Sequence, residues 1–173
     1  MKNCTFFLFS SLILLLFSCR DRESLPVVPE ISFKSYSKIT NAAGKDSLVR
    51  ISFDYLDGDG DLGLSARDTF PPFHYTATNK FYYNIYIDYL EKKGGVFVPV
   101  TVPFTNDTIR FLYRMDVITP TGKNKAIKGD ITMDIDLSPY PVKPDTIQFK
   151  VQIADRQLHL SNTTESPQIN MNY

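Results

Sequence analysis

From residue 30 onward, apolar and polar positions alternate in short runs. Val49, Ile51, Phe53 and Tyr55 alternate with Arg50, Ser52 and Asp54, and Phe81, Tyr83, Ile85, Ile87 and Tyr89 with Tyr82, Asn84, Tyr86 and Asp88. The same pattern returns over 109–115, 131–137 and 147–153. Ile31 and Phe33 begin an earlier strand, Val96, Val98 and Val100 follow a Lys92-Lys-Gly-Gly95 turn, and a last short strand is expected over 168–172. One wet face per strand marks antiparallel sheets, because parallel strands are buried on both sides and read as unbroken apolar runs. No segment keeps a helical period over three turns. Seven or eight short strands predict an all-β antiparallel sandwich of immunoglobulin or fibronectin type III character, filling residues 30–173 as one domain.

Two connections exceed what a sandwich needs. Residues 57–79 form a loop of over twenty residues, and loops beyond about 12–15 residues usually carry function or lack order. Residues 118–128 form a shorter basic loop with Lys123, Lys125 and Lys128. If every strand reverses direction, counting puts the 57–79 loop at one pole of the sandwich. The basic loop and Asp155-Arg156 then share the opposite pole.

The first eighteen residues have a different pattern. Lys2 supplies a positive start, 6–17 an apolar run, and Leu16-Phe17-Ser18-Cys19 a cleavage site. The run is shorter than the roughly 20 residues a spanning helix needs, so it reads as a signal peptide. Leu16-Phe17-Ser18-Cys19 resembles the lipobox of bacterial lipoproteins. That resemblance implies acylation of Cys19, and several acyl chains anchor stably where one does not. Residues 19–29 then form the lipidated cysteine and a polar, proline-containing tether. Asp21 and Glu23 resemble surface-export signals of Bacteroidota lipoproteins, with Arg20 and Arg22 between them, which leaves the side of the membrane open.

Composition narrows the chemistry. With Cys4 in the signal peptide and Cys19 in lipid, the mature domain has no thiol, which excludes disulfides, zinc-thiolate sites and a cysteine nucleophile. Without Lys2, 18 Lys+Arg stand against 19 Asp+Glu, a net charge of −1. No basic stripe calls for nucleic acid.

The densest chemistry is Asp57-Gly-Asp-Gly-Asp-Leu-Gly63. With Asp57 as position one, Asp59, Asp61, Gly63, Ser65 and Asp68 fall at positions 3, 5, 7, 9 and 12, the ligand spacing of an EF-hand calcium loop. Leu62 stands where that turn uses glycine, and Asp68 is shorter than the usual bidentate glutamate. Strand and loop flanks exclude an EF-hand domain, and the stretch looks like the free-standing DxDxD loops of exported β-proteins. Oxygen-only ligands select calcium or magnesium, and a flexible loop favours calcium. A solvated Asp-Gly turn is the competing reading. The ion's expected role is structural.

Two further clusters read as structural. Asp155, His159 and Ser161 lie close in sequence, but a triad is defined by geometry and no nucleophile elbow is nearby. Tyr82 and Tyr86 lie on the outer face of their strand, where they either bind a glycan or are covered by residues 70–75. Cover is the expected state.

The DGDGDLG loop, the stretch 119–126 (TPTGKNKA) and the stretch 154–162 (ADRQLHLSN) together resemble a group of uncharacterised lipoproteins of the Bacteroidota. The resemblance implies a shared fold and an envelope location and carries no activity. The expectation is therefore a non-enzymatic, outer-membrane lipoprotein with a calcium-stabilised sandwich. Its partners are the membrane, through the lipid, and an envelope protein or glycan. The alternatives are an accessory glycan-binding lipoprotein and a hydrolase built on Asp155, His159 and the acidic loop.

Overall fold

The computed structural model describes residues 24–123 and 125–173; the signal peptide and Cys19 lie outside them. The chain folds into β1 (Glu30–Thr40), β2 (Asp46–Asp57), β3 (Ile85–Lys93), β4 (Val96–Pro99), β5 (Arg110–Tyr113), β6 (Ile127–Asp136), β7 (Thr146–Ile153), β8 (Thr164–Glu165) and β9 (Ile169–Asn170). A three-stranded sheet in the order β1-β2-β6 faces a six-stranded sheet built on β4-β3-β7-β8, and every pairing is antiparallel. The expected all-β sandwich is the fold. No helix among the described residues is long and apolar enough to cross a membrane.

Alternation chose the core face. Val49, Ile51 and Phe53 of β2 meet Ile85, Ile87 and Tyr89 of β3 and Ile147, Phe149, Val151 and Ile153 of β7, all nearly or fully buried. Tyr89 stacks on Phe149 at 5.7 Å and tilts against Phe111 at 5.8 Å. At roughly 1.5–3 kcal/mol for each large side chain removed from water, this one cluster accounts for most of the favourable term without disulfides. The outer face of the small sheet holds cross-strand polar pairs, such as Arg50 with Asp134 and Ser52 with Thr132.

The six-stranded sheet has only four lanes. β4 pairs with the second half of β3 and β5 with its first half, so the two run in the same direction along one edge. Residues 101–108 leave that lane and return through a Thr101–Thr108 bridge. β8 and β9 share the lane beside β7 in the same way, interrupted at Pro167, which has no N–H to donate. Two buried serines repair the second lane. Ser161 Oγ accepts from the Ile153 amide and Ser166 Oγ from the Phe149 amide, each at 3.0 Å. Asn162 then links the sheets, its side chain both accepting from the Ile31 amide and donating to the Ile31 carbonyl at 2.8 Å.

This lane sharing overturns the expected distribution of loops. β4 and β5 occupy one lane and run the same way, so the five strands make three reversals of direction rather than four. The 118–128 loop and Asp155 therefore emerge at the same pole as the acidic loop. The bridge between Leu62 and Asp155, and the pairing of Asp57 with Ile127 at the start of β6, fix that placement.

The third strand also begins later than alternation predicts. Residues 80–82 form a 3-10 turn capped by Asn79, whose Oδ1 accepts from the Phe81 amide at 3.1 Å. The Asn79 amide group donates to the Pro72 and His74 carbonyls, both at 2.7 Å, and so ties the long loop to that turn. Local side-chain capping won over the strand pattern here.

Candidate metal centre

Asp57 closes β2 with a side chain fully buried from solvent. The chain then turns through Gly58-Asp59-Gly60 and is caught again at Leu62 and Leu64. The Leu64 amide donates to the Met115 carbonyl at 2.8 Å and the Ile118 amide to the Leu62 carbonyl at 3.2 Å. With both leucines in the core, the turn between them is held at each end. Gly60 has a φ of +63°, and a Cβ there would stand 1.7 Å from the Lys125 carbonyl oxygen. The basic loop can lie against the acidic turn only because Gly60 has no side chain.

One carboxylate oxygen each from Asp57, Asp59 and Asp61 lies within 4.8 Å of the others, the only such set of acids or histidines found among the described residues. Oxygens sharing a calcium ion at 2.3–2.6 Å can stand at most about 5 Å apart, so the spacing suits that ion. Both oxygens of Asp57, with Oδ1 of Asp59 and Oδ1 of Asp61, are buried and meet no hydrogen-bond donor. Buried carboxylate oxygens without donors or a cation are costly. Burial, and then the adjacent Asp59 carboxyl, pushes the Asp57 carboxyl up to about 7. Burial, followed by the charges of Asp155 and Asp59, raises Asp61 as well.

The other half of the predicted ligand set goes elsewhere. The Asp68 carboxylate pairs with the Arg156 guanidinium through two bonds, at 2.6 and 2.9 Å, and accepts from the Ser65 amide and hydroxyl at 2.7 and 3.0 Å. The Arg156 bond holds its carboxyl well below the usual carboxylate range. The Gly63 carbonyl also faces Arg156, at 3.4 Å. So the structure brings Asp57, Asp59 and Asp61 together, engages Gly63 and Asp68 with Arg156, and ties Ser65 to Asp68 and, through its carbonyl, to Arg114. Leu62, buried at the sixth position, explains the divergence. It turns the chain into the sheet instead of around an ion.

Sequence reasoning missed the partners that complete this pole: Arg114, which donates to the Ser65 and Asp68 carbonyls, and side chains some ninety residues away along the chain. Gln157 donates from its side chain to Asp59 Oδ2, and Arg156 also lies 5.5 Å from the centre of the Phe73 ring. Asp155 is buried, accepts from the His159 amide and pairs with His159 Nδ1, both at 2.8 Å. Ser161 does not join that pair; its hydroxyl donates to the Asn162 carbonyl at 2.6 Å and accepts from Ile153.

The aromatic stripe is covered, in part as expected: Tyr75, of residues 70–75, packs on Tyr82, while Tyr86 is tied to the turn at 80–83. Tyr86 is buried, and its hydroxyl lies 2.8 Å from the Tyr83 carbonyl and 3.0 Å from that of Lys80. Tyr82 is half-buried, edge-on to Tyr75 at 5.0 Å and under the Arg114 guanidinium at 5.0 Å. Tyr75 itself is exposed, beside an open groove of about 430 Å³ that Lys80, Arg110 and Leu112 also line. No protein-family model, no curated protein and no solved structure matches the chain.

Proposed function

We propose that the chain is a cell-envelope lipoprotein of the outer membrane, anchored through acylated Cys19. Its sandwich is stabilised by one structural calcium ion and serves as a binding or assembly module. The observation that supports the ion most directly is the set of buried, donorless oxygens on Asp57, Asp59 and Asp61. These three would hold the cation, with backbone carbonyls and water completing its shell. Calcium would supply charge neutralisation and would fasten the 57–64 turn between the two sheets. The anchor rests on the Leu16-Phe17-Ser18-Cys19 box, and the polarity of the signal segment agrees with it.

We assign no catalytic step. Asp155 and His159 pair, but the hydroxyl nearest in sequence is committed to the β7 ladder. A second reading, accessory glycan binding, draws on exposed Tyr75 and the groove beside it. Thermal unfolding of the mature chain, with millimolar calcium and then with chelator, tests the ion. The melting temperature is expected to rise with calcium in the native chain and to stay unmoved in an Asp59→Ala/Asp61→Ala variant. Equal melting in calcium and chelator would reject a structural ion.

A further inference from the structure

The described chain enters the sandwich at the pole that carries the acid cluster. Glu30, the first residue of β1, stands opposite Leu56 at the end of β2. Before it, residues 24–29 lie across the acidic turn. The Gly58 amide donates to the Pro26 carbonyl at 2.6 Å, and a Cβ on Gly58 would meet the Leu25 carbonyl oxygen at 2.4 Å. The tether is therefore fitted to the loop and not merely attached near it.

Length decides which way the domain faces. Ser24 is five residues from Cys19, and five residues fully extended span at most about 18 Å. β2 alone has twelve residues, and at about 3.4 Å each such a strand is roughly 40 Å long. A lipid on Cys19 can thus hold the acidic pole near a bilayer, while an upright domain with the opposite pole down is out of the tether's reach.

Side chains on this pole suit such a surface. Of the ten large apolar side chains left exposed among the described residues, Val27, Val28, Phe70, Val117 and Ile118 belong to segments packed here, and Phe70 is 76% exposed. Val27 and Val28 follow the tether contact, Val117 and Ile118 lie beside Leu62, and Phe70 precedes Phe73 under Arg156. The turn at the opposite pole exposes Val96 alone from that group. Arg67, Lys123 and Lys125 add exposed cations on the same loops. Lys and Arg are drawn to an anionic membrane surface, an attraction offset here by exposed Asp116 and the nearby acid cluster, so the apolar side chains, which leave water at the headgroup boundary, carry the contact.

We infer that this pole is a membrane-contact surface: the domain rests on the bilayer that holds Cys19, with Phe70 and Val27-Val28 at the headgroup boundary. The inference depends on the lipid anchor proposed above. It also sets the opposite pole, with the β3–β4 turn, outward toward any partner.

The chain has no tryptophan, so single Phe70→Trp and Val96→Trp variants give one reporter each. The full lipidated chain is reconstituted in phosphatidylcholine/phosphatidylglycerol vesicles with and without brominated acyl chains. Both variants are expected to float with the vesicles. Phe70→Trp emission should shift to the blue and lose most of its intensity to bromine, while Val96→Trp emission is unchanged. Flotation with equal quenching of the two, or with none, would overturn the membrane pose and leave the anchor standing. Failure of both to float would overturn the anchor, and the pose with it.

Discussion

Asp57 and Asp68 belong to one loop and meet opposite fates. Asp68 has a guanidinium with two bonds, an amide and a hydroxyl around it, and its charge is settled by groups of the chain itself. Asp57 is more deeply buried and sits against two other carboxylates, with only the Gly60 amide nearby to favour its charged form. The same residue type thus makes a closed structural tie at one end of the loop and an open demand for positive charge at the other. What separates them is Arg156, delivered by the end of β7 to the first site and not to the second. An acidic cluster becomes a candidate ion site where the fold withholds a cationic side chain.

That contrast can be broken from either end. The largest effect is expected from Arg156→Ala, which leaves Asp68 without its partner. Removing one member of a buried pair costs 3–5 kcal/mol, and the partial exposure of this pair brings the expectation to about 2–3 kcal/mol. Chemical denaturation should show that loss equally in calcium and in chelator. Calcium withdrawal itself comes next. At an ion concentration of 10–100 times Kd, binding to the folded state contributes about 1.4–2.7 kcal/mol. For a domain of this size that is a fall of about 3–10 °C in melting temperature on adding chelator.

Gly60→Ala sharpens the geometric side of the comparison. Its Cβ meets the Lys125 carbonyl in a left-handed conformation, so a cost of about 1–2 kcal/mol and weaker calcium protection are expected, read by melting with and without the ion. The smallest change has the most telling sign. Asp57→Asn removes one of the crowded charges and should stabilise the ion-free protein by about 1 kcal/mol. The same substitution should abolish the response to calcium in parallel melts.

Much of the architecture is visible in the alternation of particular strands. Val49 to Tyr55 and Ile147 to Ile153 read correctly because each buries one face against the core and wets the other. Alternation says nothing about lanes, so the break between Pro99 and Arg110 looked like two strands in two positions. That single miscount moved the basic loop and Asp155 to the wrong pole. Residues 80–84 misled for a different reason: Asn79 caps a turn there, and a cap competes with a strand through side-chain bonds that periodicity does not record.

At the candidate site, the structure gathers Asp57, Asp59 and Asp61, because alternate positions around glycines can come within a few ångström, and it sets Gly63, Ser65 and Asp68 apart from them. Once Leu62 enters the core, residues beyond it follow the sheet and not the ion. Nothing local announces Arg156 or Gln157 as partners of this loop, since their approach depends on the register of β7 against β3.

The pH dependence of stability, with and without calcium, separates an ion site from a solvated acidic turn most directly. Without the ion, burial and the Asp59 carboxyl push Asp57 up to about 7 in the folded chain, against about 3.9 when unfolded, so the folded state binds the extra proton between those values. Stability in chelator should therefore fall as pH rises from about 4 to 7, by at most about 1.4 kcal/mol per pH unit. Asp68 has the opposite sign: its contribution is present above about pH 4 and is lost below it, whether or not calcium is there. The decisive measurement is the melting temperature of the mature chain between pH 5 and 8, in chelator and in 10 mM calcium. The predicted result is a melting temperature that declines with pH in chelator and does not decline in calcium, the two curves separating most at pH 8. Curves that superimpose across that range would contradict the assignment of Asp57, Asp59 and Asp61 as a cation site.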